Sequence, residues 1–452
     1  MDADHSSNSA PDHTKAALKQ IEDRLTEIRR YPLWFVRPVV WRLRAQRDEL
    51  RLLLATQKAE RTQKKLKAKS TPKPTQPPAT LISEGKPVHD ATLIVTAAEI
   101  NDRHGTGVLL ARLFKGTPEF IHVRSMNLYG GETSGALRIC LPPDCIASAN
   151  LADLLKGSTV SRILSVPYSR SDVENTLALQ AATGAPLCVW LMDHNLGEGE
   201  HQIPFPLMQR LLNSAHLRLG ISPEFCALYA GQFGYAVHFA PPVVDAHLGQ
   251  NTLLHLAPES FQPATGVLLG NVWSQRWLKK LANTVAEAKV PLVAFGHKSP
   301  HWVKNDDLAS QVNMRGFLPE DELVAELRRH PFAIVPTGTL DEDDDLPEIA
   351  RYSLPSRTLY LSAVGNLPII VTGHADSGVA RFVTRHGLGV VVPYDGKQLR
   401  RAIQSICQPE QQLHFRRQAA ALAPTFACDD MHDWLWKSLD FSAPADERWQ
   451  SL

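Results

Sequence analysis

The stretch "ATLIVTAAEINDRHGTGVLLARLF", residues 91–114, joins two kinds of hydrophobic pattern. Its first part, "ATLIVTA", has the short apolar and β-branched composition of a buried strand, whereas "GVLLARLF" has helical spacing. A strand that runs through a glycine-bearing turn into a helix is the opening unit of a parallel α/β sheet. At the join stand Gly105, Thr106 and Gly107. A helix start presents unpaired N–H groups with partial positive charge, and glycine allows close backbone approach, so these three residues are candidates for holding phosphate. The third glycine of a dinucleotide fingerprint is missing, as is the Gly-Lys-Ser/Thr of a P-loop, which excludes those two motifs. A plain tight turn between strand and helix is the structural alternative.

The same alternation continues downstream. "FIHVRS", "SRILSVP", "PLCVWLM" and "AVHFAPP" read as strands, with helical periods such as "VENTLALQAAT" between some of them. A second series runs through "GVLLGNV", "PLVAFG", "VNMRGF", "FAIVPTG", "PIIVTG" and "LGVVVP". The pattern predicts an α/β protein of two tandem Rossmann-like, doubly wound domains, residues 81–250 and 251–410, meeting near residues 245–262. The tail, residues 411–452, reads as C-terminal helices able to pack back across both domains.

A length of 452 residues suits two cores, and 44% hydrophobic with 21% charged residues suits a soluble fold. The net charge of +1 conceals an asymmetry. Residues 1–80 carry 17 Lys/Arg against 9 Asp/Glu, or +8, leaving 31 against 38, or −7, for the rest. This balance offers no argument for nucleic-acid binding. Cys140, Cys145, Cys188, Cys226, Cys407 and Cys428 lack zinc-type spacing, and the expectation is a reducing cytoplasm. Neither a signal peptide nor a membrane-spanning segment is expected.

Residues 1–80 read as a basic helical extension and a Pro-rich linker. Leu18, Ile21, Leu25 and Ile28 recur at helical spacing, and helical character resumes beyond Pro38 in a segment suited to coiled-coil self-association. Between residues 29 and 47, Trp34, Phe35 and Trp41 alternate with arginines. That composition suits the headgroup zone of an anionic membrane, or a helical pair packed on itself or a partner.

Three segments carry a family resemblance: "MRGFLPEDELVAELRRHPFAIVPTG" (314–338), "SLPSRTLYLSAVGNLPIIVTG" (353–373) and "GVLLGNVWSQRWLKKLA" (266–282). Over roughly residues 90–410 the chain resembles GT-B-fold glycosyltransferases, and specifically the retaining enzymes of family 4 (glycosyl transferases group 1). The resemblance implies transfer of a sugar from a nucleotide-diphosphate donor, as co-substrate, without a cofactor or bound metal. It implies donor contacts at Gly270, Asn271, Ser356, Arg357 and Tyr360. Arg276 stands where relatives carry a lysine near the departing diphosphate, while Asn271 replaces an arginine. Relatives also carry two Glu seven residues apart, the second on the donor ribose. Tyr360 falls at that second position, Asn366 reads as an insertion, and the first Glu has no counterpart, since Glu348 plus eight is Ser356.

In the first domain the resemblance implies a catalytic-cleft role for His194, with Asp193 fixing its tautomer. Each residue also has a structural reading. Asp193–His194 can be a turn, Arg276 a solvated helix residue, Ser356 a helix cap, Arg357 a partner of the acidic loop and Tyr360 core filling. Ser222 reads as a helix cap and Asp395 as a turn former. Asp341, Glu342, Asp343, Asp344 and Asp345 read as a mobile solvated loop rather than a metal site.

The leading expectation is a cytoplasmic glycosyltransferase of polysaccharide biosynthesis, peripheral on the inner face of the cytoplasmic membrane. Its acceptor would be a surface glycan or lipid-linked saccharide, and its N-terminal helices offer a route to a homo-oligomer. Two alternatives stay open: a nucleotide-sugar epimerase of the same architecture, and a non-catalytic glycosyltransferase-like scaffold.

Overall fold

The computed structural model describes residues 81–452 apart from 98, 128–129, 200–201, 250–260, 262–263, 297–311 and 450–451, together with residues 19, 20 and 23. The amphipathic and basic-aromatic segments of the N-terminal extension, with their membrane and coiled-coil expectations, lie outside the described residues, save that Lys19, Gln20 and Asp23 are helical and exposed. Most of the expected joint between domains lies outside them as well.

Eight strands form the first sheet: β1 (Ile82–Gly85), β2 (Ala91–Thr96), β3 (Phe120–Arg124), β4 (Leu137–Cys140), β5 (Val160–Val166), β6 (Leu187–Leu191), β7 (Leu217–Gly220) and β8 (His238–Phe239). Their order is β1-β4-β3-β2-β5-β6-β7-β8, and only β1 runs antiparallel to its neighbour. Central strand β2 is buried along its whole length, which is why it reads as an unbroken apolar run. Its Leu93 registers with Ile121 of β3 and Ile163 of β5. Because successive side chains alternate across a sheet, Leu93 and Val95 enter one core layer and Ile94 the other. Five α-helices accompany this sheet: α1 (Gly105–Leu113), α2 (Leu151–Leu155), α3 (Arg170–Thr183), α4 (Phe205–Ser214) and α5 (Pro223–Phe233).

The second sheet is wholly parallel, in the order β11-β10-β9-β12-β13-β14. Its strands are β9 (Gly266–Leu269), β10 (Leu292–Phe295), β11 (Val312–Gly316), β12 (Ala333–Pro336), β13 (Ile369–Thr372) and β14 (Gly389–Val392). The accompanying helices are α6 (Gln275–Ala288), α7 (Glu320–Leu327), α8 (Pro347–Tyr352), α9 (Ser356–Ala363), α10 (Gly378–Arg385) and α11 (Gly396–Ile406). Asp395 caps α11 by accepting from Gln398 N–H at 2.7 Å.

Two final helices, α12 (Pro409–Phe426) and α13 (Met431–Phe441), belong to different cores. Ala419, Ala423 and Phe426 of α12 pack with the second sheet, whereas Trp434, Leu435 and Leu439 of α13 pack beside Ile94 and Leu110 of the first domain. Where the tail crosses between them, Val244 N–H donates to Phe426 O at 2.9 Å and Cys428 N–H to Val244 O at 3.1 Å. Residues 79–452 thus make one compact unit. Among the described residues, no helix is long and apolar enough to cross a membrane.

Candidate functional site

Among the parallel strands of each sheet the order reverses direction once: between β2 and β5 in the first, and between β9 and β12 in the second. Loops at such a switch point diverge to opposite faces and leave a crevice at the carboxyl ends of the strands. Both crevices open on one cavity of about 970 Å³. It is lined from the first domain by residues including Gly105, Thr106, Arg112 and Asp193, and from the second by Gly270, Asn271, Ser356, Arg357 and Tyr360.

The start of α1 is built by His104, whose Nδ1 accepts from Gly107 N–H at 3.3 Å while Nε2 lies 2.7 Å from Glu99 O. Acceptance at Nδ1 requires the proton on Nε2, the neutral tautomer, and burial holds His104 below the ordinary histidine range. This cap corrects the expectation for Gly107, since its amide is spoken for. A β-carbon there would stand 2.6 Å from Glu99 O, so Gly107 lets the helix seat on residues 99–104 rather than admit an anion. Gly105 has another role, for a β-carbon on it would stand 2.8 Å from Ser356 Oγ across the cavity. The Thr106 and Tyr168 hydroxyls are hydrogen-bonded to each other.

Opposite α1, the loop after β9 turns on Gly270 at φ 72°. Arg357, at the start of α9, is drawn beneath this loop and donates through Nη1 to Leu269 O at 3.3 Å and to Asn271 O. Its guanidinium lies 5.7 Å from the centre of the Trp273 ring. Nε is buried without an acceptor among the described residues. Burial lowers its pKa to about 10, which leaves the group charged at neutral pH. A half-buried cation with an unpartnered Nε, beside two helix starts, has the chemistry to hold an oxyanion. Ser356 is the first residue of α9, and Pro355 rather than Ser356 occupies the cap position.

Along the same wall lies a trio of which the sequence pointed only to Tyr360. Glu320 Oε1 accepts from the Arg112 guanidinium and, at 3.2 Å, from the Tyr360 hydroxyl. Arg112 also lies over the Tyr360 ring, 5.4 Å from its centre. The signal for Arg112 was present: it follows Gly105 by seven residues, two helical turns, and so shares its face. Tyr360 is therefore neither a core filler alone nor isolated.

Two expectations are corrected. Arg276 is absent from the cavity lining, because the acidic loop after β12 draws its guanidinium to 3.1 Å from Asp343 Oδ2. That loop is solvated as expected, with Asp341, Glu342, Asp343 and Asp345 exposed, but it is pinned by its contacts. Asp344 accepts from Trp277 Nε1 at 2.8 Å and Leu340 N–H at 2.8 Å, and Asp345 accepts from Ser274 Oγ at 2.5 Å. His194 also turns away from the cavity. Asp193 lines the cavity and accepts from Ser353 Oγ at 3.2 Å, while the His194 ring packs near Phe225, Tyr229 and Tyr352. Burial, only partly offset by Glu348, lowers the His194 pKa, and burial pushes Asp193 up to about 6. Ser222 caps α5 and adds a bond of 2.6 Å to Tyr352 O in the second domain.

Comparison with known proteins agrees with this architecture. Residues 267–419 match the family described as glucosyltransferase 3-like, C-terminal domain. No curated relative matches the chain in sequence. Among solved structures, Anabaena HepE in complex with UDP-glucose superimposes with a TM-score of 0.55 at 12% identity, over 78% of this chain and 99% of that one. The same protein with UDP and glucose gives 0.55 at 13% identity, over 78% and 100%. A glycosyltransferase from Rickettsia africae gives 0.50 at 13%, over 79% and 98%. The chain has the GT-B fold of glycosyltransferases, and its second half resembles the glucosyltransferase 3-like C-terminal domain.

Proposed function

We propose that the protein transfers a glycosyl group from a nucleoside-diphosphate sugar, with UDP-glucose as the first donor to test, to a saccharide acceptor. The observation that carries this reading is the half-buried, charged Arg357, its Nε without an acceptor among the described residues, on the wall of a cavity that also receives the starts of α1 and α9. HepE, which shares the fold, was solved with UDP-glucose.

The diphosphate would lie between Ser356, Arg357 and the Gly270–Asn271 loop, with Gly105 and Thr106 contributing amides from the facing helix. As the bond from the anomeric carbon to the β-phosphate oxygen breaks, charge grows on that oxygen, and a fixed guanidinium stabilises it without reorganisation. The acceptor oxygen bonds to the anomeric carbon and its proton passes to the departing phosphate, an arrangement that retains configuration. Asp193, one of the carboxyl groups on the cavity wall, would accept a hydrogen bond from an acceptor hydroxyl.

A thermal-shift screen of UDP-, GDP- and ADP-sugars tests the donor claim, because a ligand that binds only the native form raises the melting temperature. Silence across the screen favours the scaffold reading. Epimerised nucleotide sugar appearing without acceptor favours an epimerase. For the acceptor, we propose a surface-glycan or lipid-linked saccharide reached through the basic-aromatic segment 29–47. Deleting residues 1–80 should release the protein from membranes while sparing nucleotide binding, and unchanged membrane recovery refutes that part.

A further inference from the structure

We infer that Glu320 is the residue that recognises the ribose of the nucleotide, through hydrogen bonds from its 2′- and 3′-hydroxyls, and so makes the site selective for ribonucleotides. This inference rests on the nucleotide reading above.

Position supplies the first argument. Tyr360 follows Ser356 by four residues and Arg357 by three on α9, which places it one turn, about 5.4 Å, deeper than the phosphate-binding end of that helix. The moiety next to the phosphates of a nucleoside diphosphate is its ribose. Glu320 reaches the cavity at that depth, held by the Tyr360 hydroxyl.

Chemistry supplies the second. Only Oε1 is engaged, by Arg112 and Tyr360, and Oε2 receives no hydrogen bond among the described residues. A carboxylate oxygen fixed on one side and open on the other matches a vicinal diol, which offers two O–H donors. Charge balance is met as well. A bare carboxylate near a diphosphate would repel it, and Arg112 offsets that charge from the facing domain. Tyr360 stays protonated, since burial foremost and the Glu320 charge next both raise its pKa, so it remains a donor to Oε1. Phe317, Leu318 and Leu323, next to Glu320 in sequence, add apolar surface to the cavity wall suited to the face of a base.

The test is titration calorimetry of UDP, 2′-deoxy-UDP and 3′-deoxy-UDP against the full chain and its Glu320→Gln and Tyr360→Phe variants. Wild type should bind UDP about ten- to hundredfold more tightly than either deoxy form, the discrimination expected of a charge-assisted hydrogen bond. In Glu320→Gln the ratio should fall toward one, mainly through weaker UDP binding, and Tyr360→Phe should reduce it partway. Equal binding of all three ligands by wild type overturns the inference while leaving the nucleotide reading intact. So does an equal loss for all three in Glu320→Gln, which would mark Glu320 as an interdomain tie only. Failure of wild type to bind UDP, GDP or ADP refutes the nucleotide reading and this inference with it.

Discussion

Gly105 and Ser356 meet across the cavity so closely that a β-carbon on the glycine would stand 2.8 Å from the serine Oγ. Gly105 opens α1 of one domain and Ser356 opens α9 of the other, so two helix starts converge on one point. Gly105→Ala should weaken nucleotide binding several-fold as Ser356 rotates away, with little change in melting temperature. Gly105→Val should abolish binding. Gly107→Ala should behave oppositely: its new atom meets Glu99 O at 2.6 Å and Asn101 O at 2.9 Å, backbone atoms that cannot rotate aside. A loss of about 1–3 kcal/mol in urea unfolding is expected. Equal stability of the two alanine variants would contradict this division of roles.

The His194 ring fills a space near Phe225, Tyr229 and Tyr352, which gives it a packing role. His194 is half-buried, so His194→Ala should cost about 1–2 kcal/mol through lost ring packing. His194→Phe should restore most of that stability and bind nucleotide within about twofold of wild type, a change below 0.5 kcal/mol. Were His194→Phe stable yet unable to bind or turn over nucleotide sugar, the residue would have to act in the cleft.

Asp193 gives the site a pH dependence. Its folded pKa is raised to about 6, so the folded protein holds a proton there that the unfolded chain releases near the ordinary carboxyl value. The stability it contributes is therefore present below about pH 4 and is lost as pH rises through about 6. Ligand affinity should follow the same sign, with an anionic nucleotide binding more tightly below pH 6, where the cavity carries one negative charge fewer. Affinity measured from pH 5 to 8 should break near 6 in wild type and lose that break in Asp193→Asn. A break that persists in the variant assigns it to another group.

Much of this architecture could be read from residue order. Strands β2, β5, β6, β12 and β13 lie at sheet centres, and double burial makes them continuous apolar runs that periodicity detects. Strands β1, β4 and β7 escaped because a charged side chain breaks an apolar run of only four residues, as in "LRIC" and "LRLG", whereas the other four-residue strands are uncharged. The place of Gly270, Ser356 and Arg357 on the cavity wall was legible because helix starts and loop glycines sit at defined points of a doubly wound sheet. Arg276 and His194 were misplaced for a common reason: spacing specifies the loop or helix, but the direction of a side chain depends on partners distant in sequence. For Arg276 that partner is Asp343, and for His194 it is Tyr352. Glu320 was invisible as a ligand for the same reason, since its partners Arg112 and Tyr360 lie 208 and 40 residues away.

The contrast between the two arginines bears most directly on the proposed site. Arg276 pairs with Asp343 at the surface, and such exposed pairs contribute about 0–1 kcal/mol, so Arg276→Ala should leave both fold and UDP affinity nearly unchanged. Titration calorimetry of UDP against wild type, Arg276→Ala and Arg357→Ala, each first shown to be folded, makes the comparison. Single-site binding in the micromolar range, about −8 kcal/mol, is expected for the first two, and at least about hundredfold weaker binding for Arg357→Ala. Equal UDP affinity in Arg357→Ala and wild type would contradict the proposed site.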